Sequence, residues 1–224
     1  MALQVLYATS GDGIAIFHRS GDSLSLHGVS PAPSGAFTTS PNRAFMFVAN
    51  DGHILSFAVD PATGDLSPVG SPAPFTDNPA YLACDRSGRF LLHASYGGHS
   101  CAVHAIGADG QVSPELQRNP TSLNAHAIAT DPTNRFAYVP CIAEEGGVAG
   151  NAIHGFSFSS ATGALEPTGP PLTPAPTAPG LNRFGTRGEL GPRHLVFHPY
   201  LPLLYTSNEQ GNSVSVWRIE VESG

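Results

Sequence analysis

The chain has 224 residues and 23.2 kDa, with 41% hydrophobic and only 12% charged residues, 25 glycines and 21 prolines. This composition excludes charge-driven disorder, and breakers at such density exclude a helical bundle or coiled coil. A net charge of −7 with ten scattered basic residues excludes the basic face of a nucleic-acid binder, and no apolar run reaches the ~18 residues of a membrane helix.

The first strand candidate, residues 5–10, is a short β-branched and aromatic run bounded by turn residues. The turn Ser40-Pro41-Asn42-Arg43 then precedes the apolar run 44–48. The pattern returns 45 residues later as Asp85-Arg86-Ser87-Gly88-Arg89 before 90–94, and 46 residues after that as Asp131-Pro132-Thr133-Asn134-Arg135 before 136–139. A fourth copy, His198-Pro199-Tyr200-Leu201-Pro202 before 203–206, follows after 67 residues, one period plus about 21. Each turn has a short strand candidate before it, at 36–39, 81–84, 127–130 and 195–197. Third strands are expected at 54–59, 102–106, 152–158 and 213–219. Turns such as 60–65 and 160–164 lead to a fourth. Four antiparallel strands, A to D, in a unit of about 45 residues is the arithmetic of a β-propeller blade.

Residues 5–10 match strand B, so the inventory is BCD, three times ABCD, then ABC. This predicts an all-β, single-domain partial propeller over 1–224, with about four and a half to five blades and an open ring. A closed five-bladed ring is the alternative. A Pro/Gly-rich insertion occupies 169–191; Pro170, Pro171, Pro174, Pro176 and Pro179 keep it extended.

The register also predicts a site. Aligning Asp131 with His198, an offset of 67, places His126 on Arg193, with Ala80 and Gly35 equivalent in earlier units. All four start a strand A. Glu209 ends a strand B and aligns with Ile142, Tyr96 and Asp51. Antiparallel A and B put the start of one beside the end of the other. His126, Arg193 and Glu209 are therefore expected on one rim of the central channel, where the insertion also opens.

Three blocks carry a family resemblance: residues 124–140, the segment Gly191-Pro192-Arg193-His194-Leu195-Val196-Phe197-His198-Pro199, and Ser207-Asn208-Glu209-Gln210 before a Ser213-Val214 strand. The chain resembles the lactonase family of seven-bladed propellers, which holds the propeller-type 6-phosphogluconolactonases and the carboxymuconate cyclases. The resemblance implies a cytoplasmic hydrolase of carbohydrate metabolism, acting on 6-phosphogluconolactone in the pentose phosphate pathway, with a small anionic lactone as partner. It implies catalytic residues His126, Arg193 and Glu209, without cofactor or metal. Ring opening by water needs a base, and either His126 or Glu209 has the chemistry. It also needs a cation for the oxyanion or for a substrate carboxylate or phosphate, which suits Arg193. Cycloisomerisation of a carboxymuconate needs the same ingredients, and a non-catalytic scaffold is the alternative from another class.

Other residues read more simply. His194 and His198 share a strand face and suit inter-blade packing. Arg183 and Arg187 suit solvated loop positions. The remaining histidines, His93 and His104 among them, make no ligand spacing. Cys84, Cys101 and Cys141 form no CxxC pair and read as free core thiols of a reducing compartment. The stretch Met1-Ala2-Leu3-Gln4 lacks the basic and apolar regions of a signal peptide. An open ring leaves blade edges unpaired, so self-association is expected.

Overall fold

The computed structural model describes residues 4–142, 150–174 and 190–220. Every regular element among them is a strand, and the strands form five antiparallel sheets of three, four, four, four and three strands. The first blade is β1 (Gln4–Ser10), β2 (Gly13–Ser20) and β3 (Ser23–Ser30). The second is β4 (Phe37–Thr39), β5 (Phe45–Asn50), β6 (His53–Val59) and β7 (Leu66–Pro74). The third is β8 (Pro79–Cys84), β9 (Phe90–Ser95), β10 (Ser100–Ile106) and β11 (Val112–Pro120). The fourth is β12 (Ala129–Thr130), β13 (Phe136–Cys141), β14 (Ala152–Phe158) and β15 (Leu165–Pro167), and the fifth is β16 (Pro192–Phe197), β17 (Leu203–Asn208) and β18 (Ser213–Arg218).

This is the predicted inventory of BCD, three times ABCD, and ABC: an incomplete propeller relative to seven blades. Among the described residues no strand pairing joins the first sheet to the last. The expectation for β12 needs trimming, since only 129–130 of the predicted 127–130 pair regularly. An irregularity described below takes up the rest.

Sequence alternation builds the core. Successive residues of a strand face opposite sides of the sheet. In β5, Met46 and Val48 pack toward the first blade, while Phe47 and Ala49 pack toward the third. In β9, Leu91 faces the second blade, and Leu92 and Ala94 face the fourth. Strand B is thus buried on both faces, which is why its runs are continuously apolar. One apolar cluster fills each of the four junctions between consecutive blades. A buried Leu, Ile or Phe contributes ~1.5–3 kcal/mol there relative to exposure.

The A–B turns of the third and fourth blades are each built on one carboxylate, Asp85 and Asp131. Asp131 Oδ1 accepts from Arg135 N and Phe136 N, both at 2.9 Å, while Oδ2 accepts from Thr133 N at 3.0 Å. The fourth turn position is left-handed in three blades, with φ of 61° at Arg43, 73° at Gly88 and 59° at Asn134. That requirement explains Gly and Asn there.

The terminal blades each keep one apolar face uncovered. Leu6, Leu24 and Leu26 are exposed on the first, and Val196, Val214 and Val216 on the fifth.

Candidate functional site

The three side chains expected on the rim are in contact. Arg193 Nε donates to His126 Nε2 at 3.0 Å and lies 3.1 Å from Glu209 Oε2. The backbone reason is a bulge. In β16, Pro192 pairs with Asn208 and His194 with Ser207, so Arg193 is an extra residue. A bulge re-aims the side chain it carries. The third blade repeats it: Pro79 pairs with Ser95 and Tyr81 with Ala94, leaving Ala80. In the fourth blade Ala125 bridges Cys141 while Ala129 pairs with Tyr138. One residue too many therefore lies in the stretch holding His126, and this shortens β12. The position that reads Ala, His, Arg along the chain is a recurring bulge at the start of strand A.

Local contacts fix the other members. Glu209 N donates to Gly191 O at 2.8 Å, which holds the start of the glutamate side chain beside β16. Gly191 has φ 64°, and a Cβ there would collide with Gln210 Oε1. The buried Asn151 ties the root of the insertion: its Oδ1 accepts from Gly191 N at 3.0 Å and its Nδ2 donates to Pro174 O at 3.3 Å. Of the insertion 169–191, residues 175–189 lie outside the described residues, and with them Pro176, Pro179, Arg183 and Arg187.

The electrostatics assign distinct states. Burial, reinforced by Arg193 and His194 and opposed by Glu209, lowers the His126 pKa to about 4. The ring is therefore neutral at pH 7. Its Nε2 lone pair accepts from Arg193, so the proton sits on Nδ1, which is buried without a partner among the described residues. The Arg193 side chain is 43% exposed, and only its Nε is engaged by described residues. The two terminal nitrogens form a cationic fork without a partner among the described residues.

Aromatic rings frame this trio. The Tyr96 ring stands edge-on to His126 at 6.1 Å, and His194 does so at 4.8 Å. Tyr81 lies 6.0 Å from His194. Side chains from the third, fourth and fifth blades thus converge. Tyr96 and His194 were not singled out from sequence as site residues, although Tyr96 aligned with Glu209. His194 does pack across a blade junction, as expected. His198 is elsewhere, its Nδ1 accepting from Tyr200 N at 3.1 Å and Leu201 N at 2.9 Å in the A–B turn. All three cysteines are free, and Cys101 and Cys141 belong to the core between the third and fourth blades. A cavity of about 600 Å³ lies at the opposite rim, by Tyr7, Arg19, Arg43 and Asp60. No histidine lines it.

The fold and this rim define a propeller with a cation, a carboxylate and a neutral imidazole at one mouth of its channel. Residues 7–224 match the family described as Lactonase, 7-bladed beta-propeller, and the chain belongs to that family. It is 32% identical over 186 residues to the 6-phosphogluconolactonase of Pectobacterium carotovorum subsp. carotovorum, covering 82% of this chain and 50% of that one. The 6-phosphogluconolactonase of Erwinia tasmaniensis is 30% identical over 191 residues, covering 84% and 52%. The chain spans about half the length of the curated relatives it matches. Among solved structures, the periplasmic gluconolactonase PpgL of Pseudomonas aeruginosa superposes with a TM-score of 0.77 at 21% identity, covering 100% of this chain and 66% of that one. The Cps50 (Swd1) propeller domain of Myceliophteria thermophila gives 0.63 at 12%, covering 96% and 66%. At such identities these two show the fold alone. No helix among the described residues is long and apolar enough to cross a membrane.

Proposed function

We propose that this chain carries a lactone-hydrolysing site that opens 6-phosphogluconolactone to 6-phosphogluconate. The observation that carries the reading is Arg193: its Nε is held by His126 and Glu209, and its terminal nitrogens remain as a fork. Such a fork matches a carboxylate, a phosphate or a developing oxyanion. The curated relatives named above bear the same activity in their names.

The proton acceptor is assigned to Glu209. An imidazolium at 126 would stand against Arg193, and that repulsion is one reason the ring stays neutral. His126 is a positioning residue whose lone pair orients the guanidinium. Water attacks the lactone carbonyl carbon, its proton passes to the Glu209 carboxylate, and the carbonyl electron pair moves to an oxyanion facing Arg193. Collapse breaks the ring C–O bond, and Glu209 returns the proton to the leaving alkoxide. Removing the Arg193 contact costs ~10²–10³ in kcat, the loss typical of one oxyanion donor.

The five blades act as one unit around this single mouth. The three free thiols support a reducing, cytoplasmic setting. The test is hydrolysis of 6-phosphogluconolactone by Glu209→Gln and His126→Gln. Glu209→Gln should lose most turnover. His126→Gln, whose amide oxygen still accepts from Arg193, should cost no more than the roughly 10–100-fold that loss of a positioning contact does. The opposite ranking would transfer the base to His126.

A further inference from the structure

The junction between the second and third blades differs from the other three, because it buries two histidines. His93 of β9 and His104 of β10 are both 0% exposed and lie on the face that carries Leu91. His104 pairs directly with Glu115 of β11 and with Leu91, whereas His93 pairs with Ala102. The two imidazoles are therefore diagonal neighbours, and Glu115 continues the row. One ligand-capable atom from each of the three residues lies within 4.8 Å of the others.

The hydrogen bonds fix the protons. His104 Nδ1 faces the Ser113 carbonyl at 2.9 Å. A carbonyl only accepts, so the His104 proton is on Nδ1 and its Nε2 bears a lone pair. That lone pair meets His93 Nδ1 at 3.2 Å, so the His93 proton is on Nδ1. His93 Nε2 is then a bare lone pair, buried and without a hydrogen-bond partner among the described residues. Burial keeps both rings neutral, with His93 lowered to about 3. Glu115 is also held in place: its carboxylate accepts from Thr76 N at 2.7 Å and from Thr76 Oγ1 at 3.0 Å.

Two neutral imidazoles and a carboxylate are a ligand set for borderline divalent cations. Bonds of ~2.0–2.1 Å in a tetrahedron put adjacent nitrogens roughly 3.3–3.4 Å apart. The observed 3.2 Å between His93 Nδ1 and His104 Nε2 is already close to that edge. The bond from His104 Nδ1 to Ser113 is the outer contact that orients a ligating histidine.

We propose that His93 Nδ1, His104 Nε2 and the Glu115 carboxylate form a site for a zinc-class divalent cation, using none of the rim residues. On binding, the ion replaces the proton between the two rings. The His93 proton moves from Nδ1 to the bare Nε2, so the imidazole stays neutral. Water completes the coordination from the half-exposed Glu115 side. The ion ties together β9, β10 and β11.

The test uses untagged, chelator-treated chain titrated with Co²⁺ and Zn²⁺. One equivalent of Co²⁺ should give the visible absorption of a four- or five-coordinate nitrogen–oxygen site, and Zn²⁺ should displace it and raise the thermal midpoint. Glu115→Gln, a substitution on the half-exposed ligand, should weaken binding at least tenfold, and His104→Gln should abolish it. If His104→Gln does not fold, the wild-type spectrum and Glu115→Gln decide. No stoichiometric uptake by folded wild type overturns the proposal. So does uptake that Glu115→Gln leaves unchanged, which would place the ion on surface groups such as His18, His27 and Asp65.

Discussion

Asp85 offers the sharpest test of how the blades are held together. It is completely buried in the A–B turn of the third blade. Its Oδ1 accepts from Arg89 N and Phe90 N, each at 2.9 Å. Its Oδ2 accepts from Ser87 N at 3.0 Å, Ser87 Oγ at 2.6 Å and, across the blade junction, Asn134 Nδ2 at 2.8 Å. In Asp85→Ala the Arg89 and Ser87 donors lie close enough to the surface to find water. The buried Phe90 N–H does not, and stranding it costs ~1–3 kcal/mol. The Asn134 bond to a charged acceptor adds ~1.5–3 kcal/mol. The sum is roughly 2.5–6 kcal/mol, a large part of the ~5–15 kcal/mol that holds a typical domain together. Asp85→Asn keeps an acceptor and should lose about half as much. The assay is urea unfolding followed by circular dichroism. A loss below about 1 kcal/mol for Asp85→Ala would refute the reasoning, because a bond so replaceable is not bridging the blades. The pH dependence supplies a second check. Burial alone would raise the Asp85 pKa, but the bonds from Ser87 and Asn134, with the Phe90 and Ser87 amides, outweigh it and hold the pKa below its ordinary value. A depressed folded pKa gives stability that is full above the unfolded value of ~3.9 and lost as pH falls through the folded one. The gap between wild type and Asp85→Ala should therefore narrow below about pH 4.

Further outcomes follow from other contacts. The His126 ring should titrate at about 4 in NMR, and Arg193→Met should move it up, since Arg193 helps to lower it; an unchanged value would remove the contact. Because that folded value lies below the unfolded ~6.5, His126 contributes stability above ~6.5 that is lost as pH falls through about 4. Gly191→Ala forces a left-handed backbone on a residue with a Cβ, and should cost ~1–2 kcal/mol in thermal unfolding; a neutral result would mean the turn relaxes freely. The chain should self-associate with rising concentration in sedimentation through its uncovered blade faces, and Leu26→Glu with Val214→Glu should suppress this. A monomer at every concentration would contradict it.

The blade count was legible because a turn precedes an apolar strand B at a near-constant period, with a polar signature in the turns at 40–43, 85–89 and 131–135. Phe90, Leu91 and Leu92 are buried on alternate sides, so their run reads as a strand without any partner being known. The meeting of His126 with Arg193 was legible from the 67-residue offset. The bulge that delivers both was not, because an extra residue in one strand leaves no mark until its partner's register is known. That the Tyr96 ring meets His126 was hidden for a related reason: the contact crosses a blade junction, and sequence spacing says nothing about tilt between sheets. The cluster of His93, His104 and Glu115 was hidden by its diagonal. Its members are direct or offset neighbours on three strands, a relation fixed by hairpin register and not by any local motif.

Under the proposed function, Arg193, steadied by His126 and Glu209, presents a fork to a lactone. The most direct measurement compares hydrolysis of 6-phosphogluconolactone and unphosphorylated gluconolactone by this chain and by Arg193→Ala, both verified as folded by circular dichroism. Turnover of the phosphorylated lactone should be measurable and should fall by about 10²–10³ in the variant. A folded chain without turnover, or turnover that Arg193→Ala leaves intact, would contradict the proposed function.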